Sequence, residues 1–148
     1  MTVIEHLRRI LAESIEPQLA SADIYLTGDR SGNTIARYSG RRNNFDCEVT
    51  VVRDKWWSKN RGRFTIFFVV SRTVNYSTQG EMNDDDSVEA NLGCLIGDGT
   101  QDWKIWATDD AEPFVETLSA GMRDYGIPWL ERVSTDRGFD KYQADERY

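Results

Sequence analysis

The sequence predicts an α+β fold: an antiparallel sheet of about five strands built from hairpins, with N-terminal and C-terminal helices packed on one face. Three observations carry that expectation. Apolar residues recur at helical spacing near both ends of the chain, two central segments alternate or run apolar as strands do, and turn-forming residues separate them. At 148 residues the chain matches the size of one domain, expected to span 1–148 with a polar tail from about 137.

The first element is a helix. Thr2 followed by Glu5 fits a capping box, in which hydroxyl and carboxylate satisfy backbone N–H groups at the helix start. Ile4, Leu7, Ile10, Leu11 and Ile15 form its apolar stripe, and Pro17 ends or restarts it because proline lacks the donor and clashes with the preceding turn. A polar, glycine-bearing passage holds a short strand, "TIARYS", that turns Ile35 and Tyr38 inward. "FDCEVTVV" (45–52) sets Phe45, Cys47, Val49 and Val51 against Asp46, Glu48 and Thr50, the alternation of a strand with one wet face. "RFTIFFVVSR" (63–72) is apolar on both faces and predicts a central strand covered on both sides, joined to its predecessor by a hairpin through "RDKWWSKNRG".

Residues 74–90 read as a polar, acidic loop. A second hairpin is expected from "ANLGCLIG" and "QDWKIWAT" about Asp98-Gly99, a pair suited to tight turns. A second helix starts near Asp109 and Asp110, takes Pro113 in its first turn, and buries Phe114, Val115, Leu118 and Met122 before stopping at Gly126. "IPWLERV" is a further short helix that packs Trp129 and Leu130, and "DKYQADERY" is expected to fray.

Composition narrows the function classes. No apolar run approaches the ~18–20 residues of a membrane span, and the charged N-terminal segment is unlike a secretory signal, so a soluble cytoplasmic protein is expected. Cys47 and Cys94 read as buried free thiols. His6 is the only histidine and reads as a surface helix residue, which leaves a nucleophilic triad without its base. "GDGT" (97–100) lacks the lysine and context of a phosphate loop. The run Asp84, Asp85, Asp86 lacks the spaced ligands of a calcium loop, so neither a metal nor a cofactor is expected. "NYS" at 75–77 matches a glycosylation sequon without consequence in the cytoplasm.

Charge is unevenly spread. The net charge is −7, yet residues 30–72 hold 10 basic and 3 acidic side chains, and residues 73–148 hold 6 basic and 17 acidic. Such a dipolar chain presents two faces able to steer charged macromolecules. The basic segment contains Arg41, Arg42, Arg53, Lys55, Lys59, Arg61 and Arg63 with Trp56 and Trp57. Aromatics flanked by cations hold single-stranded nucleic acid, although an acidic body repels a polyanion. Successive residues on a strand face opposite ways, so one tryptophan is expected in the core and the other on the surface as an interface anchor.

The segments 34–73 and 90–133 resemble a family of small bacterial domains of unknown function. The resemblance lies in Phe64, Ile66 and Phe68, then Trp103 and Trp106, then Pro128, Trp129, Leu130 and Glu131. These imply fold, and bring no catalytic residues to carry over. In size and make-up the chain is also similar to immunity proteins that neutralise polymorphic toxins.

Two function classes follow. The first is a non-enzymatic protein-binding protein, most specifically an immunity protein whose acidic side chains Glu81, Asp84, Asp85, Asp86, Glu89, Asp109, Asp110, Glu112 and Glu116 mate with a basic toxin-like partner. The second is a ligand- or nucleic-acid-binding module working through Trp56, Trp57, Lys59, Arg61 and Arg63 of the hairpin 53–63, with nucleic acid disfavoured by the overall charge. An enzyme using converging carboxylates ranks third.

Overall fold

A computed structural model describes residues 1–28, 32–55, 57–72, 87–97 and 102–146. The chain is α+β, a six-stranded antiparallel sheet backed by helices from both ends. Helices α1 (Val3–Glu13) and α2 (Ile15–Ala20) lead into strands β1 (Ile24–Leu26), β2 (Thr34–Arg42), β3 (Phe45–Arg53), β4 (Arg61–Arg72) and β5 (Ser87–Asn91). Then follow α3 (Leu92–Ile96), β6 (Trp103–Trp106), α4 (Ala111–Gly121), a π-helical turn (Met122–Gly126), α5 (Ile127–Val133) and α6 (Asp136–Glu146). No helix among the described residues is long and apolar enough to cross a membrane.

The capping box at Thr2 and Glu5 forms as expected, each side chain bonding the other's backbone N–H at 3.0–3.2 Å. The break at Ser14 precedes Pro17, which sits in the first turn of α2, where its missing donor costs nothing. The β2–β3 hairpin turns on Asn43 and Asn44, at φ 50° and 73°. Two successive left-handed residues make the two-residue turn whose twist matches its strands.

Order along the sheet is β1-β2-β3-β4-β5, and β6 also pairs with β4. β5 lies along Phe67–Ser71 and β6 along Arg61–Phe64, so these two share the edge of β4 opposite β3, end to end. This replaces the expected second hairpin. Leu92–Ile96 is a helix, opened by the Asn91 side chain, which accepts from the Gly93 and Cys94 N–H groups, and closed by Gly97 at φ 81°. The turn pair Asp98-Gly99 lies outside the described residues. Of the expected acidic loop, Ser87–Ala90 belongs to β5, and 74–86 also lies outside them.

The core fills the space between the helices and one sheet face. Phe45, Cys47, Val49 and Val51 of β3 and Phe64, Ile66, Phe68 and Val70 of β4 are buried against Leu7, Ile10, Leu11 and Ile15, with Leu118, Met122, Trp129 and Phe139 from the other end. Each such side chain contributes about 1.5–3 kcal/mol through removal from water. Among the described residues no element covers the other sheet face: Phe67 is 38% exposed, so β4 is fully buried on one side only, contrary to the expectation from its two apolar rows.

Four further expectations are corrected. Gly126 does not stop α4. It continues a helical path into α5 at φ −67°, and its missing side chain admits Met122 Sδ and Phe68, which a Cβ would meet at 2.7 and 3.0 Å. The polar C-terminal segment docks as α6, through buried Phe139 and the Arg72–Asp140 ion pair. His6 is buried at 8% exposure and its Nε2 lies 2.7 Å from the Asp109 carbonyl, tying α1 to the turn before α4. Cys47 is buried but Cys94 is exposed.

Burial pushes the Cys47 thiol up, with Ser134 Oγ 3.5 Å away. Under native conditions Cys94 is expected to react with a thiol reagent while Cys47 does so only on unfolding. Counting one fast and one slow thiol by absorbance checks this, and two fast thiols would contradict it.

Candidate functional site

Strand alternation places Arg37, Ser39 and Arg41 of β2, Asp46, Glu48 and Thr50 of β3, and Arg61, Arg63, Thr65, Phe67 and Val69 of β4 on the open sheet face. Lys104 and Trp106 of β6 pair with Arg63 and Arg61 and share that face. At the β2–β3 end the charges meet partners, Arg37 with Glu48 at 3.1 Å and Arg41 with Asp46 at 3.8 Å. These pairs are exposed and each is worth about 0–1 kcal/mol.

The β4–β6 end differs. A groove of about 360 Å³ is lined by Asp54, Arg61, Gly62, Arg63, Lys104, Ile105 and Trp106. Arg63 reaches Asp102 only at 3.9 Å, and Arg61 and Lys104 have no ion pair among the described residues. Trp106 is 48% exposed, and the Arg61 guanidinium lies 5.5 Å from its ring centroid, a cation–π contact that holds both side chains. Backbone bonds hold the strand ends beside the groove to their neighbours. Asp54 N donates to Arg63 O, Ser58 N to Arg61 O, Val3 N to Lys59 O and Ala107 N to Asn60 O, at 2.7–3.0 Å.

Of the two hairpin tryptophans, Trp56 lies outside the described residues. Trp57 is half-buried, its indole lying over Gly62 so closely that a Cβ there would sit 2.0 Å from a ring carbon. Trp57 is therefore a packing residue of the hairpin. Lys59 is exposed and carries no ion pair among the described residues, but its structural part is played by its carbonyl. The basic residues do not form one stripe. Arg41 lies about eight residues along the sheet from Arg63, roughly 26 Å at ~3.3 Å per residue.

The acidic set divides as well. Glu81, Asp84, Asp85 and Asp86 lie outside the described residues. Glu89 is exposed on β5, and its carbonyl accepts from the Tyr142 hydroxyl at 3.0 Å. Asp109 is a turn residue, with Oδ2 accepting from Trp106 N at 2.8 Å and its own N–H donating to Trp106 O. Asp110, Glu112 and Glu116 line a shallow depression on the first turns of α4 with Ala111 and Pro113. Among the described residues, no group of three or more His, Cys, Asp or Glu side chains is placed to hold a metal ion.

Trp106 and Lys104 are the members that sequence reasoning missed. Trp103 and Trp106 are three apart on one strand, an odd spacing that puts them on opposite faces. Trp103 stacks on Phe64 inside, at 5.6 Å between centroids, and Trp106 is left outside rather than in the core. Known proteins add nothing to this. No family model, curated protein or solved structure matches the chain.

Proposed function

We propose that this is a non-enzymatic protein-binding protein that docks its partner on the open sheet face around Trp106, and most specifically that it acts as an immunity protein blocking a toxin-like partner. The observation that carries the reading is Trp106, exposed on an uncovered face beside Arg61. Tryptophan and arginine are the side chains that dominate interface hot spots, and mixed charge around them gives orientation and speed of association. The acidic side chains of Asp110, Glu112 and Glu116 lie beyond the turn that follows β6, and would address cations of a basic partner. The non-enzymatic part of the reading is supported by His6, whose ring is committed to the Asp109 carbonyl in the protein interior.

The test is titration calorimetry with the partner captured from the source cells. A one-to-one complex is expected, and Trp106→Ala should weaken it at least tenfold, on the order of 2 kcal/mol, with the melting temperature unchanged. Loss of toxin inhibition in the same variant would support the immunity reading. Undiminished binding by Trp106→Ala would remove the docking surface from consideration.

A further inference from the structure

The groove at the β4–β6 end has a chemistry of its own. Three cations converge on it, two of them without an ion pair among the described residues, beside a half-exposed indole. At the other end of the same face the cations are neutralised by Glu48 and Asp46. The lining holds one carboxylate against these three cations, Asp54, whose Oδ1 accepts from Arg63 N at 3.4 Å, while Asp102 faces Arg63 and Asp109 holds Trp106 N. An excess of positive charge beside an aromatic surface selects an anion that also carries an apolar group.

We propose that this groove is a docking site for an acidic peptide segment of the partner, with carboxylates on Arg61 and Lys104 and an adjacent apolar side chain against Trp106. The inference rests on the protein-binding reading and is independent of the partner's net charge, since the groove addresses one segment and the α4 depression another. Length and surroundings favour a peptide over a nucleic acid. β6 has four residues, and the chain beyond it carries Asp109, Asp110 and Glu112. A phosphodiester strand repeats its charge at every nucleotide and would run on to that acidic surface, whereas a peptide needs only one or two carboxylates in the groove.

The probe is a fluorescein-labelled Gly-Glu-Phe-Glu-Gly peptide followed by anisotropy, with the Gly-Lys-Phe-Lys-Gly analogue and a six-residue oligothymidine in parallel. The acidic peptide is expected to bind, to weaken with added salt, and to lose at least tenfold in affinity in R61A/K104A and in Trp106→Ala. Arg41→Ala, at the far end of the sheet, should bind it as the parent does. Equal binding of the lysine peptide, or none of the acidic peptide at millimolar concentration, would overturn the proposal, as would preferential binding of oligothymidine. A failed peptide together with a partner complex that still depends on Trp106 would leave the protein-binding reading standing while removing this one.

Discussion

Replacing Trp129 with alanine is expected to cost about 3–5 kcal/mol of stability, the range for emptying a large aromatic site in a core. Trp129 is 1% exposed and stands between Phe68 of β4 at 5.9 Å and Tyr142 of α6 at 5.3 Å. Its removal opens a cavity bounded by the sheet on one side and the last helix on the other. In a domain of this size a melting-temperature fall of roughly 10 °C or more follows. Trp129 Nε1 has no hydrogen-bond partner among the described residues, so Trp129→Phe gives up no hydrogen bond seen there, loses only some volume and should cost clearly less than alanine. Thermal unfolding of both variants measures this, and an alanine variant within 1 kcal/mol of the parent would refute the role.

Gly62→Ala is expected to destabilise by about 1–3 kcal/mol, the usual penalty of forcing extra atoms into a packed site. The added methyl falls 2.0 Å from Trp57 Cε3, and neither the β4 backbone nor a half-buried indole can yield that distance locally. Trp57 must leave its seat over Gly62, a residue that lines the groove. The diagnostic is a double-mutant cycle in urea. In a Trp57→Ala background the clash is gone, so Gly62→Ala should add little beyond Trp57→Ala alone. Additive costs would show that Gly62 is needed for some other reason.

The parts of the fold that were legible in sequence are those with a strict period or a reciprocal cap. The alternation of Phe45, Cys47, Val49 and Val51 against wet neighbours fixes a face, and Thr2 with Glu5 fixes a helix start. Misreadings arose where periodicity is too short to decide. Leu92–Ile96 is five residues long, and an apolar run of that length fits a strand as well as a helix. What distinguishes it is Asn91 before and Gly97 after, a cap and a stop. "RNNF" was a turn signal of equal strength, since asparagine is among the residues that tolerate positive φ.

The candidate site was legible in part. Arg61 and Arg63 were identified from charge alone, but charge along the chain does not give charge across a sheet, and register separates Arg41 from them. Val69 and Phe67 look like core on composition. Among the described residues no second helical layer covers that face, a tertiary fact, and Phe67 is left exposed with Val69 half-buried. The burial of His6 is not legible for a similar reason, because nothing near it in sequence announces that the Asp109 carbonyl will arrive to meet it.

The shared edge of β4 bears on the order in which the sheet is assembled. β2, β3 and β4 are joined by hairpins and pair with near neighbours in the chain, so their contacts form at small loop-closure cost. β6 is different: it returns across some forty residues to pair with Arg61–Phe64, and it brings only four residues. A strand that short, closing that long a loop, is expected to form later than the β2–β3–β4 hairpins and to open before them under native conditions. The groove straddles that seam. Its shape is thus tied to a short, long-range joint of the sheet, and an occupant bridging β4 to β6 would act as a staple, slowing amide exchange at Ile105 well before altering it at Val49 or Val51 in the hairpin interior.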